Sequence, residues 1–277
     1  MKSLYKRTLS GFIFLLAVVG CLLRPQIYVI AMAALILLLS SEFYSMTAAD
    51  RKFAKEKFAI GAAGILLFVL GYFCRAHGMA SKWLFTAFIP LIAALLFMLR
   101  DCARDYDFNT ALFFPLIYIA LPVCSTLFLA VDSQGAYSPK LLLGLLALIW
   151  MNDIGAYALG MSLGQKPTSR KLAPKLSPKK SWWGIIGGTL FTLLSAWAVS
   201  SLLFPDVLSA IHWFALALIV SVFGVCGDLF ESLIKRHAQV KDAGNLIPGH
   251  GGLLDRFDDV LFVMPLAAVY LSLLSLI

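Results

Sequence analysis

A chain of 277 residues with 61% hydrophobic and 14% charged side chains, and a mean hydropathy of +0.87, lies far outside the usage of soluble globular domains. It reads as an all-α integral membrane protein. Its net charge of +8 is spread over short segments between apolar runs rather than over a folded basic domain, which argues against nucleic acid as a partner.

Apolar runs long enough to cross a hydrocarbon core of roughly 30 Å recur at 9–23, 27–47, 57–74, 83–99, 109–131, 141–163, 183–204, 208–229 and 257–276. They predict a bundle of about nine transmembrane helices. The first follows Lys2, Lys6 and Arg7 like a signal peptide, but Arg24-Pro25 offers no small-residue cleavage site and another span follows at once, so it is read as a helix. With the N-terminus inside, 19 of the 23 Lys and Arg residues fall in cytoplasmic segments, leaving Arg24, Arg75, Lys82 and Lys140 outside. That face suits anionic head groups and nucleotide phosphates. Cys21, Cys74, Cys102, Cys124 and Cys226 are scattered without metal-ligand or redox spacing and read as packing residues.

Organisation divides near residue 135. Residues 1–135, about five helices, carry no legible motif and read as scaffold or as an oligomer interface such as that of a homodimer. Residues 136–277, with polar loops 164–182 and 235–256, read as the catalytic part of one membrane domain. In the sixth span, Trp150-Met-Asn152-Asp153-Ile-Gly-Ala-Tyr157 places a carboxylate at membrane depth, which costs about 2.5–3.5 kcal/mol unless a partner or polar cavity receives it. A structural ion pair would serve as well as a ligand. Gly155, Gly160 and Gly164 permit close helix approach.

The segment Lys171-Leu-Ala-Pro-Lys175-Leu-Ser177-Pro-Lys179-Lys180-Ser181-Trp182-Trp183-Gly184 follows. Its two X-Pro steps disfavour helix, so it should run extended and present ammonium and hydroxyl groups at the mouth of the bundle. Basic loops beside interfacial tryptophans are also ordinary topology signals. Span eight then enters Gly227-Asp228-Leu-Phe-Glu231-Ser232-Leu-Ile-Lys235-Arg236, where residues 228, 231, 232 and 235 share one helical stripe. This helix is expected to break at Gly244-Asn245 or Pro248. Beyond Lys241, the run Pro248-Gly249-His250-Gly251-Gly252 lets backbone amides approach an anion. Asp255, Asp258 and Asp259 stand at i, i+3, i+4 where span nine begins, and such carboxylates are the hard oxygen ligands Mg²⁺ uses while it also holds phosphates. His250 fits loop bracing, phosphate donation or proton transfer equally.

Ser232-x-hydrophobic-Lys235-Arg236, then Lys241-Asp242-x-Gly244, then Pro248-x-His250-Gly251-Gly252-hydrophobic-x-Asp255-Arg256-hydrophobic-Asp258 resembles the signature of the phosphatidate cytidylyltransferases, the CDP-diacylglycerol synthases. Asp153-x-Gly-Ala-Tyr157, Lys171-Leu-Ala-Pro and Ser177-Pro-Lys-Lys-Ser181 resemble other elements of that family, so the match covers roughly 150–260. Met161 stands where the family often has a basic residue and Trp183 where it often has a polar one. The resemblance implies CTP plus phosphatidate giving CDP-diacylglycerol plus pyrophosphate, with Asp228, Asp255 and Asp258 at Mg²⁺ and room for a second, monovalent cation. Lys235, Arg236, Lys241 and Arg256 would meet the phosphates. Asp153, Lys171, Lys175, Ser177, Lys179, Lys180, Ser181, Ser232, His250, Gly251 and Gly252 would complete the substrate side. The expected setting is a bacterial plasma membrane with the N-terminus and active site cytoplasmic, CTP arriving from the cytosol and phosphatidate from the lipid. Rival readings are a CTP-using polyprenol or phytol kinase, which needs a base for an alcohol, and a transporter of an anionic metabolite, which predicts inverted repeats. No repeat is visible.

Overall fold

The computed structural model describes residues 2–47, 54–79, 92, 113–166, 168–247 and 251–277. Nearly all of the expected span at 83–99, the first residues of the span at 109–131, and Pro248, Gly249 and His250 lie outside the described residues. The helices are α1 (Lys2–Leu22), α2 (Pro25–Thr47), α3 (Ala54–His77), α4 (Phe113–Ala130), α5 (Lys140–Ser162), α6 (Trp182–Leu203), α7 (Ala210–His237) and α8 (Leu254–Leu273). Among the described residues, α2, α4, α5, α6, α7 and the stretch Lys57–His77 of α3 are long and apolar enough to cross a membrane, as befits a multi-pass membrane protein. The runs expected first and last are helical too. The apolar part of α1, Ser10–Leu22, is shorter than those six, and α8 carries Asp255, Arg256, Asp258 and Asp259 in its first turns.

The two polar segments depart from their expected paths in different ways. The 171–181 segment is extended, as its prolines require, but it folds back as an antiparallel ribbon of β1 (Lys171–Ala173) and β2 (Ser177–Ser181), pairing Lys171 with Ser181 and Ala173 with Ser177. Helix α7, by contrast, does not continue to Gly244 or Pro248. It stops at His237, because Ala238 closes the last turn and Gln239 takes the left-handed conformation at φ 57° that ends a helix.

The chain divides into two compact units, one of Met1–Ser138 with Val240–Arg256 and Ile277, the other of Pro139–Gln239 with Phe257–Leu276. In the first, the Tyr28 hydroxyl and Thr126 Oγ1 hydrogen bond at 2.6 Å inside the protein, and the Tyr28 ring packs against Phe68 and Tyr137. Tyr137 donates to the carbonyl of Leu22 at 2.7 Å, and Arg75 Nε donates to that of Val131 at 2.7 Å. These bonds tie α1, α2, α3 and α4 to the loop that follows α4.

In the second unit, small residues set the helix spacing. A Cβ on Gly155 of α5 would run into the carbonyl of Gly187 and sit 2.7 Å from Phe191 Cβ, while one on Gly187 of α6 would strike the Gly155 carbonyl. A Cβ on Gly227 of α7 would lie 2.5 Å from the carbonyl of Asp258 in α8. Backbones that approach this closely gain dispersion contact in a setting where lipid supplies no hydrophobic drive. They also bring Asn152 of α5 to Thr192 of α6 and Asp258 of α8 to Asp228 and Glu231 of α7.

Candidate active site

Helix α7 carries the stripe the sequence marks. One turn separates Asp228 from Ser232, whose hydroxyl donates to Asp228 Oδ1 at 3.5 Å, and one turn separates Glu231 from Lys235, which form an ion pair. Ligating oxygens of Asp228, Glu231 and Asp258 all lie within 4.8 Å of one another. Asp258 arrives from α8 because Gly227 admits that helix to backbone contact. Three carboxylates from two helices form an all-oxygen donor set, and the donor chemistry fits a hard divalent cation such as Mg²⁺. Glu231 is 1% exposed, so its charge is removed from water, and the Lys235 ammonium pairs with it.

Beside the cluster opens a cavity of about 510 Å³, large enough for a nucleotide's phosphates and part of its base. Asn152, Asp153, Tyr157 and Met161 from α5, Lys179, Lys180 and Ser181 from the ribbon, and Asp228 and Asp259 from α7 and α8 line it. Lys180 pairs with Asp228 across the opening. Asn152 is buried, with Oδ1 accepting from Thr192 Oγ1 at 3.3 Å, and Gly188 stays small because a Cβ there would sit 2.6 Å from that oxygen. Asp153 thus reaches the polar cavity that its cost demands.

Several expected substrate residues turn out to build the site's walls. The Lys171 ammonium donates to the Gly164 carbonyl and to Gln165 Oε1, both at 2.9 Å, and Gln165 Nε2 donates to the carbonyl of Lys179 at 2.9 Å. Together they brace the ribbon against the end of α5. Ser181 is buried and caps α6, its hydroxyl accepting from the Gly184 amide at 3.3 Å, while it also borders the cavity. Lys179 is exposed, Lys175 is exposed on the ribbon's turn, Ser177 is half-buried at the start of β2, and Arg236 is exposed at the end of α7.

The remaining expected residues belong to the other unit. Asp255 Oδ2 accepts the amides of Ala243 at 3.0 Å and Gly252 at 2.8 Å, and Ile247 donates its amide to the carbonyl of Gly251 at 3.0 Å. Gly251 sits at φ 84°, where a side chain would be strained. Lys241 and Arg256 are exposed on either side of this loop, and His250 lies outside the described residues.

Glu231 and Asp259 belong to the carboxylate groups that the sequence marks on its two helices, whereas no motif assigns a role to Asn152 or Glu42. Glu42 is the one charged residue of α2 and is buried, a signal in itself, since an ionisable group in a membrane helix calls for a partner.

Comparison with known proteins gives the chain a family. The chain is 38% identical over 189 residues to a phosphatidate cytidylyltransferase of Bacillus subtilis (strain 168), covering 68% of each chain. It is 31% identical over 272 residues to a phosphatidate cytidylyltransferase of Staphylococcus aureus (strain COL), covering 96% of this chain and 98% of the relative. It is 44% identical over 126 residues to the protein of that name from Staphylococcus haemolyticus (strain JCSC1435), covering 45% of this chain and 46% of the relative. The cytidylyltransferase family model matches residues 5–274, and the chain belongs to that family.

Proposed function

We propose that this protein is a phosphatidate cytidylyltransferase that joins CTP and phosphatidate into CDP-diacylglycerol and pyrophosphate. The observation that carries the reading is the carboxylate cluster of Asp228, Glu231 and Asp258 beside a cavity edged by Lys179 and Lys180, in a chain of the cytidylyltransferase family.

A phosphate oxygen of phosphatidate attacks the α-phosphorus of CTP. The new P–O bond forms as the bond to the bridging oxygen of the β-phosphate breaks, and pyrophosphate leaves with that electron pair. Both reactants are anions, so their repulsion must be neutralised before they come into line. Mg²⁺ bound by Asp228, Glu231 and Asp258 would supply Lewis-acid charge to the phosphates. Lys179 and Lys180 draw the triphosphate to the cavity mouth, and Lys235, held by Glu231, adds positive charge beside the carboxylates. Lys241 and Arg256 serve phosphate groups, and Asp255 sets the loop between them by accepting the amides of Ala243 and Gly252. The attacking phosphate is already ionised near neutral pH, so no strong base is required and His250 acts as a phosphate donor or loop brace.

About nine spans, with the N-terminus and the polar site on the cytosolic side of a bacterial plasma membrane, complete the proposal, residues 1–135 acting as scaffold and 136–277 carrying catalysis. The test follows labelled CTP and phosphatidate in detergent micelles across a Mg²⁺ titration, with Asp228→Asn, Asp258→Asn and Asp255→Asn beside the unaltered protein. CMP-labelled lipid with equimolar pyrophosphate, lost in the first two variants, is the expected result. CDP release with a phosphorylated alcohol, or no CTP chemistry in folded protein, would overturn it.

A further inference from the structure

Residues 251–254 of the glycine-rich segment are held from a distance of more than two hundred residues. Glu42, five residues before the end of α2, is 6% exposed. Its Oε1 accepts the amide of Leu253 at 2.9 Å and its Oε2 the amide of Leu254 at 2.8 Å. These are donors at the start of α8, where helix geometry offers no internal acceptor and the helix dipole favours negative charge. Two glycines make room for the carboxylate. A Cβ on Gly244 would lie 2.6 Å from Glu42 Oε1, and one on Gly252 would lie 2.8 Å from Oε2. The second carboxylate of the segment, Asp255, binds the Ala243 and Gly252 amides from the other side. The amides of Ala243, Gly252, Leu253 and Leu254 are therefore divided between two carboxylates, and the placement of these four residues depends on both.

We propose that Glu42 is a positioning residue for the phosphate-handling loop: by capping α8 and fitting against Gly244 and Gly252, it sets the loop conformation from which Lys241, Asp255 and Arg256 are presented. The inference rests on the cytidylyl-transfer reading for its link to turnover, and on geometry alone for its link to the loop. Glutamine at 42 keeps the shape but turns one acceptor into an NH₂ donor facing an amide. Aspartate keeps both acceptors but withdraws them by one methylene, which opens the space a Cβ on Gly244 would need. The three contacts closest to that Cβ are all Glu42 side-chain atoms, at 2.6, 2.9 and 3.2 Å, so the clash is specific to one partner.

The test uses the full chain in detergent micelles and compares Glu42→Gln, Glu42→Asp, Gly244→Ala and the Glu42→Asp/Gly244→Ala pair. Its three readouts are kcat and KM for CTP, the thermal denaturation midpoint, and hydrogen–deuterium exchange of peptides containing Leu253 and Leu254. Glu42→Gln is expected to lower kcat about 10- to 100-fold, as a displaced binding group does, with faster exchange at Leu253 and Leu254 and little change in KM or midpoint. Gly244→Ala should lower kcat in the wild-type background, and the paired variant should exceed the product of the two single effects by about 10-fold. Strict additivity, unchanged exchange in Glu42→Gln, or a kcat loss matched by a collapse of the midpoint overturns the inference. If the unaltered protein makes no CDP-lipid, the functional reading falls, while exchange in the same variants still decides whether Glu42 holds the loop.

Discussion

Asp228 takes part in three relationships at once: the ion pair with Lys180, the hydrogen bond from Ser232, and the cluster with Glu231 and Asp258. A carboxylate that balances a lysine and also completes an oxygen donor set is poised to exchange one cation for another. Asp228→Asn keeps the side-chain volume and removes the charge, so its phosphatidate turnover should fall on the order of 100-fold or more, since even partners behind metal ligands are worth 10- to 100-fold. Steady-state assays over a Mg²⁺ series check this. Glu231 is a different case because it is buried with Lys235. Glu231→Gln removes one carboxylate of a buried i,i+4 ion pair and should lower the denaturation midpoint. Replacing Lys235 by Met in the same chain should recover part of the denaturation midpoint without restoring turnover, a split that thermal and kinetic measurements on one preparation resolve. Motif reading reached Asp228 and Asp258 by type and spacing. Counting Glu231 with them required knowing which side of α7 meets α8, and that is set by Gly227.

At the level of elements, the ribbon and the α5–α6 pair behave as one device. Ser181 ends β2 and caps α6, Lys171 and Gln165 strap the ribbon to the end of α5, and Lys179 and Lys180 are thereby aimed at the cavity. Gly187→Ala would drive a methyl into the Gly155 carbonyl, and overpacking of this kind costs about 1–3 kcal/mol. The expected outcome is a lower denaturation midpoint in micelles together with weaker CTP saturation, since separating α5 from α6 also moves Asn152 and Asp153. Ser181→Ala loses the cap, about 1 kcal/mol, and should raise KM for CTP more than it lowers kcat, as kinetic analysis would reveal. The extended character of 171–181 was legible from its two prolines. Its return as a ribbon was not, because strand pairing depends on bonds between Lys171 and Ser181, which local propensity does not encode. The early end of α7 escaped notice for a related reason: Gln239, not a glycine or proline, adopts the left-handed turn.

For the whole molecule, the distribution of lysine and arginine makes a claim about sidedness. In a background lacking Cys21, Cys74, Cys102, Cys124 and Cys226, a cysteine replacing Lys140 should react with a membrane-impermeant thiol reagent in intact cells. One replacing Lys175, exposed on the ribbon's turn, should react only after the membrane is opened. The reverse labelling pattern would invert the proposed topology. Membrane residence, helical class and the family signature between Ser232 and Asp258 were all determined by the sequence itself, because hydropathy length and a dense run of charged and glycine residues need no neighbours to be read. Tertiary structure alone decided which carboxylates meet, which lysines brace and which line the cavity. It also decided that Glu42, in a half of the chain without a legible motif, closes on Leu253 and Leu254. Those choices depend on helix contacts and backbone amides brought together across long stretches of chain, and one-dimensional spacing carries no record of them.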